Sequence, residues 1–160
     1  MTRLWDRGEP LDRIVLEYPA GEDHALDDRL VAYDARASAA HAAMLHACGF
    51  LSGEDLAALQ VGLSRIAAAH AAGAWRVALE EEDCHTALES RLVEACGEAG
   101  RRIHLGRSRN DQVLVALRLW LKDALETLAD AAAAVAEALD GVASSQGALA
   151  MPGYTHLQRA

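Results

Sequence analysis

Apolar residues recur at helical spacing along most of the chain, and polar residues or glycines interrupt the pattern at a few points. Asp27 or Asp28 can cap a helix that runs to about Cys48, and Gly49 follows as a stop signal. The side of this helix expected to face inward carries Leu30, Ala37, His41, Met44 and Leu45. The spacing therefore predicts a first amphipathic helix in this stretch.

Two more helices are predicted before residue 100. Ser52 and Asp55 resemble a capping box, which opens a helix that continues to about Ala71 and ends at Gly73. Its buried stripe is expected to contain Leu56, Leu59, Leu63 and Ile66. A third helix covers about residues 82–97. Its inward side carries Leu88, Leu92 and Val93.

A seven-residue repeat marks the last and longest helix. The repeat is carried by Leu114, Leu121, Leu128, Val135 and Val142, with Leu125, Ala132 and Leu139 in the adjacent seam. Such a repeat is typical of a coiled coil or a long helical bundle, in which about 30 residues span about 45 Å. The sequence contains no second helix of that length. We therefore expect partner helices from other subunits or from sequence beyond Ala160, and interpret the chain as the front part of a longer protein.

The composition agrees with a bundle of closely packed helices. Apolar residues make up 52% of the chain and aromatic residues only 4%, and alanine is abundant. The predicted fold class is all-α, with an N-terminal helical domain at 27–109 followed by the first long helix of a central helical bundle at 110–160. Residues 1–26 are predicted to form an irregular arm, because they lack periodicity and contain two prolines.

The net charge and the cysteine content argue against several classes of protein. The net charge of −9 argues against a nucleic-acid or membrane-surface binder, since both need a basic face. The chain starts without the apolar segment of a secretory signal, and no apolar run approaches the ~20 residues of a membrane span. Cys48, Cys84 and Cys96 form no C-x-x-C pair and are predicted to be free thiols. These features predict a soluble, cytoplasmic protein.

Positive charge is concentrated just before the long helix. Four of the 15 basic residues fall within nine positions, namely Arg101, Arg102, Arg107 and Arg109. Guanidinium groups pair with carboxylates or phosphates, and exposed N–H groups at a helix start favour an anion. The block predicts either an anion site, which Ser108 and Asn110 help to orient, or a solvated turn in which Asn110 or Asp111 only caps the helix. An RNA-binding patch fits less well, because no aromatic residues are interleaved.

A second candidate constellation lies near residue 155. Thr155 and His156 follow a Pro-Gly turn, which can place a hydroxyl and an imidazole side by side. Histidine suits proton transfer because its unperturbed pKa lies near neutrality. The alternative is a plain turn with a surface histidine.

A third constellation, Glu81-Glu82-Asp83-Cys84-His85, combines acids with a thiol and an imidazole. No second Cys/His pair at ligand spacing completes a metal site, and the adjacent Cys84 and His85 are expected to point in different directions. An acidic helix N-terminus explains the acids without a metal. We therefore predict no metal site, with His85 able to reach a substrate.

The order and spacing of these segments resemble the argininosuccinate lyase branch of the fumarase/aspartase superfamily. The matching segments are Glu82-Asp83-Cys84-His85, Gly106-Arg107-Ser108-Arg109-Asn110-Asp111-Gln112, Leu119-Trp120-Leu121-Lys122-Asp123 and Pro152-Gly153-Tyr154-Thr155-His156-Leu157-Gln158-Arg159-Ala160. The resemblance implies an all-α homotetramer whose central bundle contains long helices from all four subunits, with active sites built from three of them. It also implies β-elimination of argininosuccinate to arginine and fumarate in arginine biosynthesis, without a metal or organic cofactor.

The resemblance further implies a role for each matched residue. The substrate-binding residues are Arg109 and Asn110, which hold carboxylates, together with Ser108, Thr155, Gln158 and His85. His156 takes part in the acid/base chemistry. The family's catalytic serine belongs to a mobile loop that does not occur in these 160 residues. Residues 1–160 alone are therefore expected to have no lyase activity.

Two positions depart from the family pattern. Leu105 stands where the family usually has threonine, so one possible hydroxyl contact is absent. Asp23 stands where an ungapped alignment expects a substrate-binding serine. Since an acid facing an anionic substrate is unexpected, either that contact differs or the alignment is shifted there.

Two other functions stay open at this point. One is a superfamily lyase that acts on a different succinyl adduct. The other is a non-catalytic protein, either a crystallin-like relative or a stand-alone helical domain. The presence or absence of the serine loop downstream distinguishes the catalytic from the non-catalytic alternatives.

Overall fold

The computed structural model describes residues 21–150 and 153–159, together with Ile14 and Tyr18. The chain divides into two compact units, Met1–Trp120 and Leu121–Ala160. The described residues are predominantly helical, which confirms the predicted all-α fold class. The domain boundaries predicted at 26/27 and 109/110 stay a prediction.

The helices follow one another with short connections. They are α1 (Asp23–Asp27), α2 (Val31–Ala47), α3 (Gly53–Ala71), α4 (Cys84–Cys96), α5 (Glu98–Arg102) and α6 (Arg109–Gln146), which continues into the second unit. Short 3₁₀ turns at Asp28–Leu30 and Leu79–Glu81 precede α2 and α4. In the second unit, β1 (Tyr154–Thr155) pairs antiparallel with β2 (Gln158–Arg159).

Three short elements are not predicted by the sequence pattern: α1, α5 and the β1–β2 pair. The arm predicted as irregular at 1–26 lies mostly outside the described residues, but its last residues already belong to α1. Five helical residues are too few to show a hydrophobic period, and two-residue strands show no alternation.

The ends of α2 and α3 form as the sequence predicts. Ser52 Oγ accepts a hydrogen bond from Asp55 N at 3.0 Å, and the Asp55 carboxylate accepts one from Ser52 N at 3.2 Å. The predicted capping box is therefore confirmed. Gly49 and Gly73, which follow the two helices, have φ angles of 80° and 74°. Glycine enters this left-handed region without steric cost, so both predicted stops are confirmed.

The predicted cap of the first long helical segment is wrong. α2 follows Leu30, which makes no side-chain cap bond. Asp28 instead accepts a hydrogen bond from His70 Nε2 at 2.8 Å, and Asp27 accepts one from Cys84 N at 3.4 Å. Both acids connect segments that are distant in sequence, because the chain is already helical in α1 and needs no cap at this point.

Helices α2, α3, α4 and α5 pack around one apolar core. Its buried members are Ala35, Ala42, Leu45, Leu51, Leu59, Leu63, Ile66, Leu88, Leu92, Ala99 and Ile103. Most of the stripes predicted on α3 and α4 lie in this core, whereas Leu56 and Val93 are only half-buried. A smaller cluster next to the start of α4 contains Val31, Val77, Cys84 and Ala87.

The buried side of α2 differs from the predicted one. Met44 is exposed, and three of the other four predicted members are only half-buried. The helix instead buries Val31, Asp34, Ala35, Ser38, Ala42 and Leu45. Alanine offers little contrast between the two sides of a helix, so hydrophobic periodicity does not identify a buried face that contains an aspartate and a serine.

The long helix α6 spans 38 residues, or about 57 Å at 1.5 Å per residue. Its apolar seam is exposed in this chain: Leu125, Leu128, Val135 and Leu139 are each 60% exposed or more. A contiguous apolar surface of this length is typical of an interaction face. Among the described residues, no helix is long and apolar enough to cross a membrane.

Helix α5 packs so closely on α4 that Gly100 has no space for a side chain. A Cβ at this position would lie 2.6 Å from Leu92 O and 2.7 Å from Val93 Cα, which are both backbone atoms. We expect Gly100→Ala to lower the free energy of unfolding by about 1–3 kcal/mol, because the two helices must move apart.

Urea unfolding followed by circular dichroism measures this loss. Gly53→Ala is the matched control, since the Cβ at this helical glycine would meet nothing closer than His46 Cε1 at 3.9 Å. Its stability is expected to stay unchanged or to rise slightly. An equal loss in both variants would contradict the close approach of α5 to α4.

Candidate functional site

The arginine block forms the turn between α5 and α6. Ile103 is buried in the core and anchors the turn. Gly106, with a φ of 76°, lets the chain reverse before α6. His41 Nε2 donates a hydrogen bond to Leu105 O at 2.9 Å, across 64 residues of sequence. Burial, and then the charge of Arg107, lower the pKa of His41, which keeps the ring neutral near pH 7. Leu105 is thus held through its backbone oxygen.

Ser108 caps the start of α6. Its Oγ accepts a hydrogen bond from Asp111 N at 3.3 Å, and the Asp111 carboxylate accepts bonds from Ser108 N at 2.9 Å and Ser108 Oγ at 3.0 Å. Those bonds lower the pKa of Asp111. Asp111 is therefore part of the cap, whereas Asn110 is not. The Asn110 side chain is exposed and makes no hydrogen bond within the described part of the chain, so its amide is available to a ligand.

Arg109 is fixed in place by neighbouring side chains. Its Nη1 donates to Gln112 Oε1 at 2.9 Å, and its two terminal nitrogens reach the two carboxylate oxygens of Glu89 at 3.3 and 3.4 Å. Glu89 also accepts a hydrogen bond from His104 Nδ1 at 3.0 Å. The Arg109 side chain keeps 34% of its surface exposed. The guanidinium is therefore oriented by the fold and still accessible to an anion.

A buried polar network connects α2, α4 and α6. Asp34, which is 0% exposed, accepts hydrogen bonds from His85 Nδ1 at 2.9 Å and from Gln112 Nε2 at 3.0 Å. Ser38 Oγ donates to the other Asp34 oxygen at 3.2 Å. Since Asp34 accepts, Nδ1 of His85 carries the proton. Gln112 also accepts a hydrogen bond from Arg109, so the network extends to the start of α6.

Arg107 extends this network on the other side. Its Nη2 donates to Ser38 Oγ at 3.0 Å, and its Nε is buried without a partner among the described residues. Burial lowers the pKa of Arg107, and the negative charges of Asp34 and Glu89 oppose this shift. The turn before α6 therefore carries one guanidinium directed into the protein and, at Arg109, one that solvent reaches.

His85 lies at the centre of a buried cluster. It is 0% exposed, so any contact with a substrate would require movement of the residues that cover it. A ring nitrogen of His85, the Cys84 thiol and a carboxylate oxygen of Asp27 lie within 4.8 Å of one another. The sequence argument that adjacent Cys84 and His85 diverge therefore does not hold. Burial, and then Asp34 and Asp27, raise the pKa of the Cys84 thiol. Cys48, Cys84 and Cys96 are all free, as predicted.

Thr155, His156 and Gln158 share one small hairpin in the second unit. Thr155 pairs with Gln158, and the two-residue turn between the strands is His156-Leu157. Both turn residues have left-handed φ angles, 47° and 63°, which costs about 1–2 kcal/mol for each residue that is not glycine. Backbone strain of this kind is found at functional turns. His156 is exposed, as both the proton-transfer and the plain-turn interpretations require.

Apart from the buried His85, the predicted site residues occur in two groups. Ser108, Arg109 and Asn110 lie together at the start of α6, in the first unit. Thr155, His156 and Gln158 lie on the hairpin of the second unit. A separate apolar groove of about 860 Å³ contains none of them. The sequence did not identify Asp34 and Glu89 as the acids that orient the first group.

A family model described as a lyase matches residues 19–160. An argininosuccinate lyase from Sorangium cellulosum is 49% identical over 159 residues, which are 99% of this chain and 37% of that protein. Argininosuccinate lyases from Xanthomonas axonopodis pv. citri and Bordetella pertussis are both 46% identical, and cover 98% and 94% of this chain. The chain spans 37% and 31% of those two relatives, or about a third of their length.

Proposed function

This chain belongs to the lyase family, and we propose that the protein carrying it is an argininosuccinate lyase, which cleaves argininosuccinate to L-arginine and fumarate. The activity is proposed for the whole protein, since the chain spans about a third of its relatives. One observation carries the proposal. At the start of α6, an oriented and accessible guanidinium, Arg109, stands next to an unengaged amide, Asn110.

The start of α6 is suited to a substrate carboxylate. Arg109 supplies a positive charge, Asn110 adds a neutral donor, and the first backbone N–H groups of a helix favour an anion. Glu89 and Gln112 hold the guanidinium before the substrate arrives, which lowers the cost of ordering it on binding. Ser108 already uses its hydroxyl in the helix cap, so we assign it to orientation of this segment.

The elimination develops extra negative charge on the succinyl part of the substrate. A base removes a proton from the carbon next to a carboxylate, and the electron pair passes into that carboxylate to give an aci-carboxylate. The C–N bond then breaks as an acid protonates the departing guanidino nitrogen. Donors that are already in place stabilise the intermediate more than the substrate, and thereby accelerate the reaction. Arg109 and Asn110 are proposed to serve this purpose.

The hairpin of the second unit is proposed to carry out proton transfer. His156 occupies an exposed, strained turn, and Thr155 and Gln158 are its neighbours across the two strands. In this assignment Thr155 and Gln158 bind substrate, and His156 exchanges a proton with it. His85 contributes to the orientation of Arg109 through a chain of hydrogen bonds. His85 donates to Asp34, Gln112 also donates to Asp34, and Arg109 donates to Gln112.

The exposed seam of α6 supports a homotetramer. Apolar residues at seven-residue spacing remain 41–65% exposed from Leu121 to Val142, and a helix with such a seam is stabilised by packing against helices of similar length. Long helices from other subunits would cover this seam in a central bundle. We also propose a cytoplasmic location, where amino-acid biosynthesis takes place.

Incubation of the full-length protein with argininosuccinate tests the proposal. Arginine and fumarate are expected in equal amounts. Asn110→Ala is expected to lower kcat/KM about 10²-fold, the effect typical of one lost donor to a developing anion. Because Asn110 makes no hydrogen bond in the described part of the chain, this variant should keep its thermal stability. The matched control is Gln60→Ala, which removes an exposed amide from α3.

Other outcomes of the same experiment would support one of the alternative functions. Cleavage of a different succinyl adduct, with argininosuccinate left intact, would indicate a related superfamily lyase. A folded full-length protein that cleaves neither would indicate a non-catalytic relative. If kcat/KM is unchanged in Asn110→Ala, the start of α6 does not form part of the substrate site.

A further inference from the structure

Three potential ligands from two distant segments converge at the N-terminus of α4. Asp27 belongs to α1, whereas Cys84 and His85 are the first two residues of α4. One ligand atom from each lies within 4.8 Å of the others. Cys84 and His85 are buried, and Asp27 is half-buried. A thiol, an imidazole and a carboxylate are the three ligand types that zinc combines in proteins.

The His85 ring provides an independent indication of a ligand. Its Nδ1 donates to Asp34, so Nε2 is the nitrogen that remains for another partner. Nε2 is buried and makes no hydrogen bond with any described residue. Buried polar atoms are satisfied in most proteins, and an exception requires an explanation. A histidine held at one nitrogen by a carboxylate, with the other nitrogen open, is the usual arrangement of a metal-binding histidine.

The charge of the cluster also suits a divalent cation. A Cys84 thiolate and the Asp27 carboxylate together carry two negative charges, which one divalent cation neutralises. Without a cation the thiol keeps its proton, since burial raises its pKa. A coordinating cation deprotonates a thiol outright, and the released proton passes to the solvent.

We propose that Asp27, Cys84 and His85 form a binding site for a divalent cation of the zinc class, with water in the remaining coordination position. The cation links α1 to the start of α4 and holds His85 in the orientation that Asp34 requires. This role is structural and takes no part in the proton transfers of the lyase reaction. It does not depend on the proposed function, because the three ligands and their contacts are the same whichever reaction the protein catalyses.

Cobalt titration of the full-length protein tests the site. After treatment with a chelator, one Co²⁺ per chain is expected to bind, with the charge-transfer absorption of a cobalt–thiolate bond and the visible bands of tetrahedral cobalt. Zn²⁺ is expected to displace it. Cys84→Val should abolish the charge-transfer band. Valine suits the neighbouring apolar residues Val31 and Val77, so this variant should fold, which circular dichroism verifies.

Two further variants make the assignment specific. Asp27→Asn removes a charged ligand from a half-buried position and is expected to weaken Co²⁺ binding about tenfold or more. Cys48→Ser, which alters an exposed thiol, should leave affinity and spectrum unchanged. Absence of the charge-transfer band from the unmodified protein, or its persistence in Cys84→Val, would overturn the proposal. An unchanged affinity in Asp27→Asn would overturn the three-ligand site.

Discussion

Asp34→Ala is expected to lower the free energy of unfolding by about 3–5 kcal/mol, the loss typical of removing one partner from a buried polar pair. The Asp34 carboxylate is completely buried and accepts hydrogen bonds from Ser38, His85 and Gln112. Alanine would leave three buried donors without an acceptor, and each such group costs about 1–3 kcal/mol. The three donors belong to three different helices, so their packing is expected to loosen together.

Urea unfolding monitored by circular dichroism measures the effect of Asp34→Ala. Glu94→Ala removes an acid from an exposed position on α4 and serves as the control, with an expected change within about 0.5 kcal/mol. The free energy of unfolding of Asp34→Asn should lie between those of the two alanine variants. The asparagine amide keeps one acceptor but turns an NH₂ group toward the donors. A loss below about 1 kcal/mol in Asp34→Ala would show that this network contributes little to stability.

Arg109→Ala is expected to lower kcat/KM of the full-length protein for argininosuccinate by about 10²–10³-fold or more. The variant removes the guanidinium proposed to bind a substrate carboxylate. It also leaves Glu89 without the cation that pairs with it at 3.3 Å. An uncompensated carboxylate would then repel the anionic substrate. Both effects act in the same direction, so the loss should exceed that of Asn110→Ala.

Steady-state kinetics of two further variants test this interpretation. Arg109→Lys keeps the charge but not the paired geometry, and should recover only part of the lost activity. Arg101→Ala is the control, because Arg101 belongs to the same basic block and its side chain makes, among the described residues, only an exposed ion pair with Glu98 at 3.5 Å. Equal losses in Arg101→Ala and Arg109→Ala would indicate a general effect of charge, and would contradict a specific carboxylate contact.

Several features were predictable because they depend on neighbouring residues. The Ser52–Asp55 capping box and the glycines after α2 and α3 form as expected, since these signals act within one helical turn. The seven-residue repeat correctly predicted a long helix, and the apolar seam of that helix is exposed in this chain. The arginine block indicated a candidate site at the start of α6, which stays a prediction. From the sequence alone, however, a helix cap could not be distinguished from an anion site, because both use the same groups.

The structure shows which residues form the cap. Ser108 and Asp111 form the cap, which leaves Asn110 unengaged in the described part of the chain. Hydrophobic periodicity did not indicate that Asp34 is buried, because an aspartate among alanines on a helix normally faces the solvent. The same residue explains why the predicted face of α2 was wrong. The i,i+4 pair of Asp34 and Ser38 was the single local signal.

The sequence by itself determined the helical class, the main helix boundaries and the residues of the basic block, because short-range sterics and hydrogen bonds govern these features. Tertiary structure alone decided which groups meet. Asp34 accepts hydrogen bonds from His85 and Gln112, which are 51 and 78 residues away in sequence. Asp27 accepts a hydrogen bond from the backbone N–H of Cys84, which is 57 residues away. Such contacts depend on how helices pack against one another, and a pattern with a period of a few residues does not contain that information.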